Sequence, residues 1–150
     1  MGGAEKGRER AGRGAQTKSL VAVAVEHRGA GKAGRSPRPG RSALAVLPDG
    51  TAASVQTFVR GRIQPDSAVW TDAWSSYLGL TPRGYSHAAI PLGKDTQVVG
   101  HFFPWVHITL SNLKRFLLGT HHKPQAKHLK RYVAEFALSA ESALAGGQSV

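Results

Sequence analysis

The sequence predicts a layered domain of sheet and helices, α/β or α+β in class. Three observations carry this. Short apolar runs at Leu20–Val25, Ala43–Leu47 and Ala68–Thr71 read as buried strands, the first being strongly β-branched. Apolar residues fall at helical spacing over 54–63, 102–118 and 128–138. The two kinds of segment alternate in the order strand, strand, helix, strand, helix, strand, helix, which points to layered packing.

Each element has a local reason. Residues 1–41 carry ten Lys/Arg against three Glu, a net of +7, and open on Gly and charge with little to bury. Residues 1–16 of that basic segment are expected to be mobile, and one strand is expected over 18–26. Residues Gly29–Gly40 hold four glycines and two prolines and read as a loop. Pro48-Asp49-Gly50 turns the chain after the second strand. Thr51 or Ser54 then caps a helix with Val55, Phe58, Val59 and Ile63 at helical spacing, stopped by Gln64-Pro65-Asp66. Trp74 to Leu80 reads as one or two helical turns ending near Pro82, and Tyr85 to Pro91 as a short strand. Val106, Leu110, Leu113 and Leu117 line one face of a helix that Gly119 should end. His128 to Leu138 forms a second amphipathic helix. The domain core is placed at 42–136 and a disordered tail at 137–150.

The formal net charge is +11 in 150 residues, so the expected partner is a polyanion, most simply nucleic acid. The middle, 42–100, is neutral, with four basic and four acidic residues, while 101–150 has six basic and two acidic. The absence of Cys excludes disulfide frameworks, thiol nucleophiles and Cys-type zinc sites. No apolar run approaches the ~20 residues of a membrane span, and no signal segment follows the start, so a cytoplasmic location is expected.

Asp72 is the first candidate for chemistry. An acid just after a short apolar strand lies at the carboxyl edge of a sheet, where α/β sites form; a turn or capping role, worth roughly 1 kcal/mol, is the alternative. Trp70 and Trp74 flank it, and one aromatic on either side of a strand end is expected in the core rather than as a base-stacking platform. On the next long helix, His107 and Lys114 are seven residues apart and share a face, with Asn112 nearby. They suit a phosphate or metal, or are simply solvated. Lys114, Arg115, Lys123, Lys127, Lys130 and Arg131 form a basic strip suited to phosphate contacts, with Trp105, Phe116 and Tyr132 interleaved. His121, His122 and His128 are a weak zinc set, because their spacing fits no strong motif.

Two stretches resemble a known family. AVWTDAWSSYLGL (68–80) with RGYSH (83–87) resembles the TDGW-x-GY-x-GL … GYxH region of bacterial insertion-sequence transposases with an ISXO2-like domain. PWVHITLSNLKRFLLGTHH (104–122), followed by Lys127-His-Leu-x-x-Tyr-x-x-Glu-Phe136, resembles that family's VH-x-x-x-SNLK-x-x-L-x-GTHH … KHL-x-x-Y-x-x-EF signature. GGAEKG at 2–7, with 18–26 after it, is similar to the segment following the family's first acid. The resemblance implies an RNase H-like mixed sheet and DDE-type DNA cleavage and strand transfer with two Mg²⁺ or Mn²⁺ ions. It makes Asp72 the second metal-holding acid and puts the third position on the helix bearing Lys114. There His107 stands where many relatives have Glu, with Asn112 as the other candidate. Lys114 would contact phosphate. The family's first acid and first strand would lie before Gly2, and its usual ending is replaced after Phe136. The expectation is therefore a transposase fragment, truncated at both ends and impaired in catalysis, acting on terminal repeats and target DNA, as a homo-oligomer if it follows its relatives. The rival readings are a non-catalytic basic nucleic-acid-binding protein and a zinc hydrolase.

Overall fold

The computed structural model describes residues 19–29, 38–91, 93, 97, 101–120 and 125–146. Strand β1 (Leu20–Arg28) pairs antiparallel with β2 (Arg38–Leu47), from Leu20 opposite Leu47 to Arg28 opposite Arg38. The loop expected over 29–40 is therefore shorter, because Arg38–Gly40 belongs to β2. Pro39 is tolerated there because β2 is an edge strand. The register slips between Val25 and His27, where the Glu26 carboxylate accepts the Arg41 amide at 2.9 Å. A Cβ on Gly40 would meet that carboxylate, so a larger residue here would push the Glu26 side chain off the Arg41 amide.

Helix α1 (Ala52–Arg62) is capped by Thr51, whose hydroxyl accepts the Ser54 amide. The Asp49 carboxylate accepts the Thr51 amide and the Thr51 and Ser54 hydroxyls, and these bonds hold its pKa below the usual carboxylate value, Ser54 contributing most. Strand β3 (Ala68–Asp72) follows, and pairs in parallel with β4 (Ser86–Ile90). The crossover between them holds single 3₁₀ turns at Ser75–Tyr77 and Thr81–Arg83 rather than a longer helix. Gly84, at φ 89°, closes the second turn in a conformation that Gly adopts without strain.

Helices α2 (Pro104–Thr120) and α3 (Leu129–Gly146) complete the chain. Gly119 does not end α2, which runs one residue further. The tail expected at 137–150 is helical as far as Gly146: its Ala and Leu residues extend α3, and the Ser139 and Ser142 hydroxyls bond back to the Glu135 and Leu138 carbonyls.

Two apolar clusters define the layers. Ala22 and Leu47 from the β1–β2 pair, and Val69 from β3, pack with Val55 and Val59 of α1 and with Leu80 and Tyr85. Both strand pairs thus lie against α1. On the other face of β1–β2, Val21, Val23, Leu44 and Val46 meet Leu113 and Leu117 of α2 and Leu129, Val133 and Phe136 of α3. No residue of β3 or β4 enters this second cluster. The class is mixed α/β, as expected, but the described strands form two sheets of two strands each, not one mixed sheet.

Candidate active site and nucleic-acid face

Side chains alternate along β3, and this decides the site. Val69 and the buried Thr71 face α1, so Trp70 and Asp72 point the other way, where both are exposed. Asp72 is the last residue of the strand, as its sequence position predicted. Below it, the Thr71 hydroxyl and His87 Nε2 form a 2.7 Å hydrogen bond between β3 and β4. The Tyr77 ring lies 6.5 Å from His87, centroid to centroid. Burial, and then the Asp72 charge, push the Tyr77 phenol up, so it stays protonated. The turn that carries Tyr77 is tied down: the Ser76 hydroxyl donates to the Gly50 carbonyl at 2.6 Å, and the Trp74 amide donates to the Asp72 carbonyl at 2.8 Å.

The expectation that Trp70 and Trp74 are core residues is corrected here. They are 57% and 41% exposed. Trp70 lies on the face that α2 and α3 leave uncovered, and its ring meets Phe102 with centroids 6.3 Å apart. Trp74 packs its ring against Gly50 and edge-on to Tyr77.

On α2, His107, Asn112, Lys114 and Arg115 are all exposed. His107 and Lys114 project from one face, while Asn112 is about 140° round the helix from His107. Lys127, at the turn before α3, and Lys130 and Arg131, in its first turn, are exposed at a spacing that puts them on one side. Among the described residues none of these five cations has a carboxylate partner; the ion pair is Arg28–Glu26. Lys123, His121 and His122 lie outside the described residues. His128 is exposed beside Tyr132. Phe116 faces Phe136 inside the helix pair, so it belongs to the packing rather than to the basic strip.

Among the described residues no three His, Cys, Asp or Glu side chains gather as a metal-holding group. Mg²⁺ takes hard oxygen ligands in an octahedral arrangement, and imidazole suits it poorly. Asp72 offers one carboxylate, so the described residues do not fit a two-ion centre. Sequence reading missed the Thr71–His87 bond, Tyr77 and the Trp70–Phe102 contact. The one local signal was the period-two split of 69–72 into two faces. No described helix is long and apolar enough to cross a membrane.

No curated protein and no solved structure matches this sequence. The family model described as ISXO2-like transposase domain matches residues 1–138, which takes in the Asp72 strand, α2 and the first turns of α3. With most of its length covered by that model, the chain belongs to the ISXO2-like transposase domain family.

Proposed function

We propose that this chain is a DNA-binding insertion-sequence transposase domain whose capacity for strand cleavage and transfer is impaired. The observation that carries the reading is the place of Asp72: exposed, at the carboxyl end of β3, on the sheet face that α2 and α3 leave open. An acid there is presented to a substrate rather than spent on a cap. Lys114, Arg115, Lys127, Lys130 and Arg131 hold the DNA backbone through phosphate contacts. Lys114 also stands to offset charge at the reacting phosphate, and His107 and Asn112 are the two candidates for the third site position, His107 on the Lys114 side of α2. Mg²⁺ or Mn²⁺ is the cofactor that goes with this reading. The described residues supply one of its ligands, which is the ground for reading catalysis as impaired.

The RNase H-like sheet belongs to the same proposal. Among the described strands β1 and β3 each have a single neighbour, and both send side chains, Ala22 and Val69, into the α1 cluster. One further strand between them would make the two pairs a single mixed sheet. A cytoplasmic location and self-association on DNA ends also follow from this reading.

The test is a gel-shift and strand-cleavage assay on terminal-repeat DNA with Mg²⁺ or Mn²⁺. Binding without cleavage is expected. Turnover that Asp72→Asn abolishes would overturn the impaired part; absence of binding would overturn the whole. A general nucleic-acid binder, favoured by the same exposed cations, would bind with no preference for the terminal repeats.

A further inference from the structure

Trp70 is 57% exposed in the middle of β3, which is unusual for the largest side chain of a strand with only five residues. The reason lies in its neighbours. Across the parallel pair stands Ala88, and the positions before it on this face are Ala68 and Ser86, all small. Nothing from β4 covers the indole. Phe102, 39% exposed, stands against it with the rings tilted 53°. The result is a two-ring ledge open to solvent. Asp72 is two residues further along the same face, about 7 Å away at the usual strand rise.

The charge of the chain selects the occupant. Helix α2 starts two residues after Phe102 and carries Lys114 and Arg115, which lack carboxylate partners among the described residues. The chain as a whole carries +11. A flat, apolar, π-rich ligand attached to negative charge meets both features. An unpaired nucleobase on its sugar-phosphate backbone is such a ligand, and stacking on indole accepts any of the four bases. An acidic peptide would match the charge but would leave the ledge without a planar partner.

We propose that Trp70 and Phe102 form a stacking platform for one unpaired base at the DNA strand end presented to Asp72. This rests on the DNA-binding reading above. A base held on Trp70 fixes its own phosphate one side-chain row away, where Asp72 stands, so the platform sets which phosphodiester the acid faces. Trp74 has no such role, since its ring is taken up by Gly50 and Tyr77.

The experiment uses the full chain and three duplexes of equal length. One ends in a single-nucleotide overhang of 2-aminopurine, one carries an abasic overhang, and one is blunt. The wild-type chain should bind the base-bearing overhang about 5- to 150-fold more tightly than the abasic one and quench its fluorescence. Trp70→Ala should erase that difference and leave the affinity for the blunt duplex within about twofold of wild type, which also shows that the variant folds. Trp70→Phe should keep most of the difference. Equal wild-type binding of base-bearing and abasic ends would overturn the platform and leave the DNA reading standing. Equal loss on all three duplexes in Trp70→Ala would also overturn it, as would a Trp70-dependent dimer in sedimentation without DNA. Failure of the wild type to bind any duplex would remove the DNA reading and the platform together.

Discussion

The β1–β2 pair is covered on both faces, by α1 on one side and by α2 with α3 on the other; among the described residues the β3–β4 pair is covered on one. The first pair spends its side chains on packing: Leu44 and Leu47 are buried, and Val21 and Val23 are half-buried. The second pair spends only one side so, through Val69 and Thr71, and leaves Trp70 and Asp72 in the open. Packed and open side chains are thus separated by the two-residue period of a single strand. The difference teaches where to expect stability effects and where to expect binding effects.

The largest expected effect breaks the scaffold. Leu80 is fully buried between α1 and the β3–β4 pair. Leu80→Ala should cost about 2–5 kcal/mol in urea unfolding, while Trp70→Ala should cost no more than about 0.5 kcal/mol. If the two cost the same, the open face is not open and the comparison fails. Next comes the basic strip. Replacing Lys127, Lys130 and Arg131 together with Gln should weaken DNA binding uniformly across sequences and reduce the log–log salt slope by about 3. An unchanged slope would remove these residues from the interface.

A smaller effect tests what supports Asp72 from beneath. Thr71→Val deletes the hydroxyl that meets His87 Nε2 and leaves a part-buried ring nitrogen without its partner. The expected loss is about 1–3 kcal/mol, read by thermal unfolding, with DNA affinity little changed. The smallest effects are in pH dependence. The Ser54 and Thr51 hydroxyls hold Asp49 below the ordinary aspartate value of 3.8, so its contribution is present above that pH and is lost as pH falls through its lower folded value. Asp49→Asn should flatten the acid limb of the stability curve. Tyr77 works in the opposite direction: burial raises its pKa above 10.0, so its contribution is present below pH 10.0 and is lost as pH rises through the higher folded value. In a spectroscopic titration of phenolate, Tyr77→Phe should remove a late component.

How far the sequence carried follows from the range of each interaction. The LVAVAV run, the Thr51 cap and the apolar stripe Val106, Leu110, Leu113 and Leu117 are local patterns, and the elements formed where those patterns lie. Asp72 was legible for the same reason, since a strand end is a local feature. Arg38–Gly40 was not, because its strand character comes from pairing with Arg28 and His27 across the hairpin. Gly119 looked like a stop, yet the α2 ladder runs past it, because one glycine lowers helix stability by only about 1 kcal/mol. The Thr71–His87 bond joins residues 16 apart, and the exposure of Trp70 depends on Ala88 being its neighbour across the pair. Neither partner can be named before the parallel register is known.

In the proposed reading DNA sits on the face of β3 that bears Trp70 and Asp72. The chain has no cysteine, so single Cys probes report one position each. Ala88→Cys places a thiol beside Trp70 on that face, and Arg60→Cys places one on the exposed side of α1, the opposite layer. The rate of maleimide labelling, measured with and without DNA carrying an unpaired end, should fall several-fold at position 88 and stay unchanged at position 60. Equal rates with and without DNA at position 88, or protection at position 60 alone, would contradict the account.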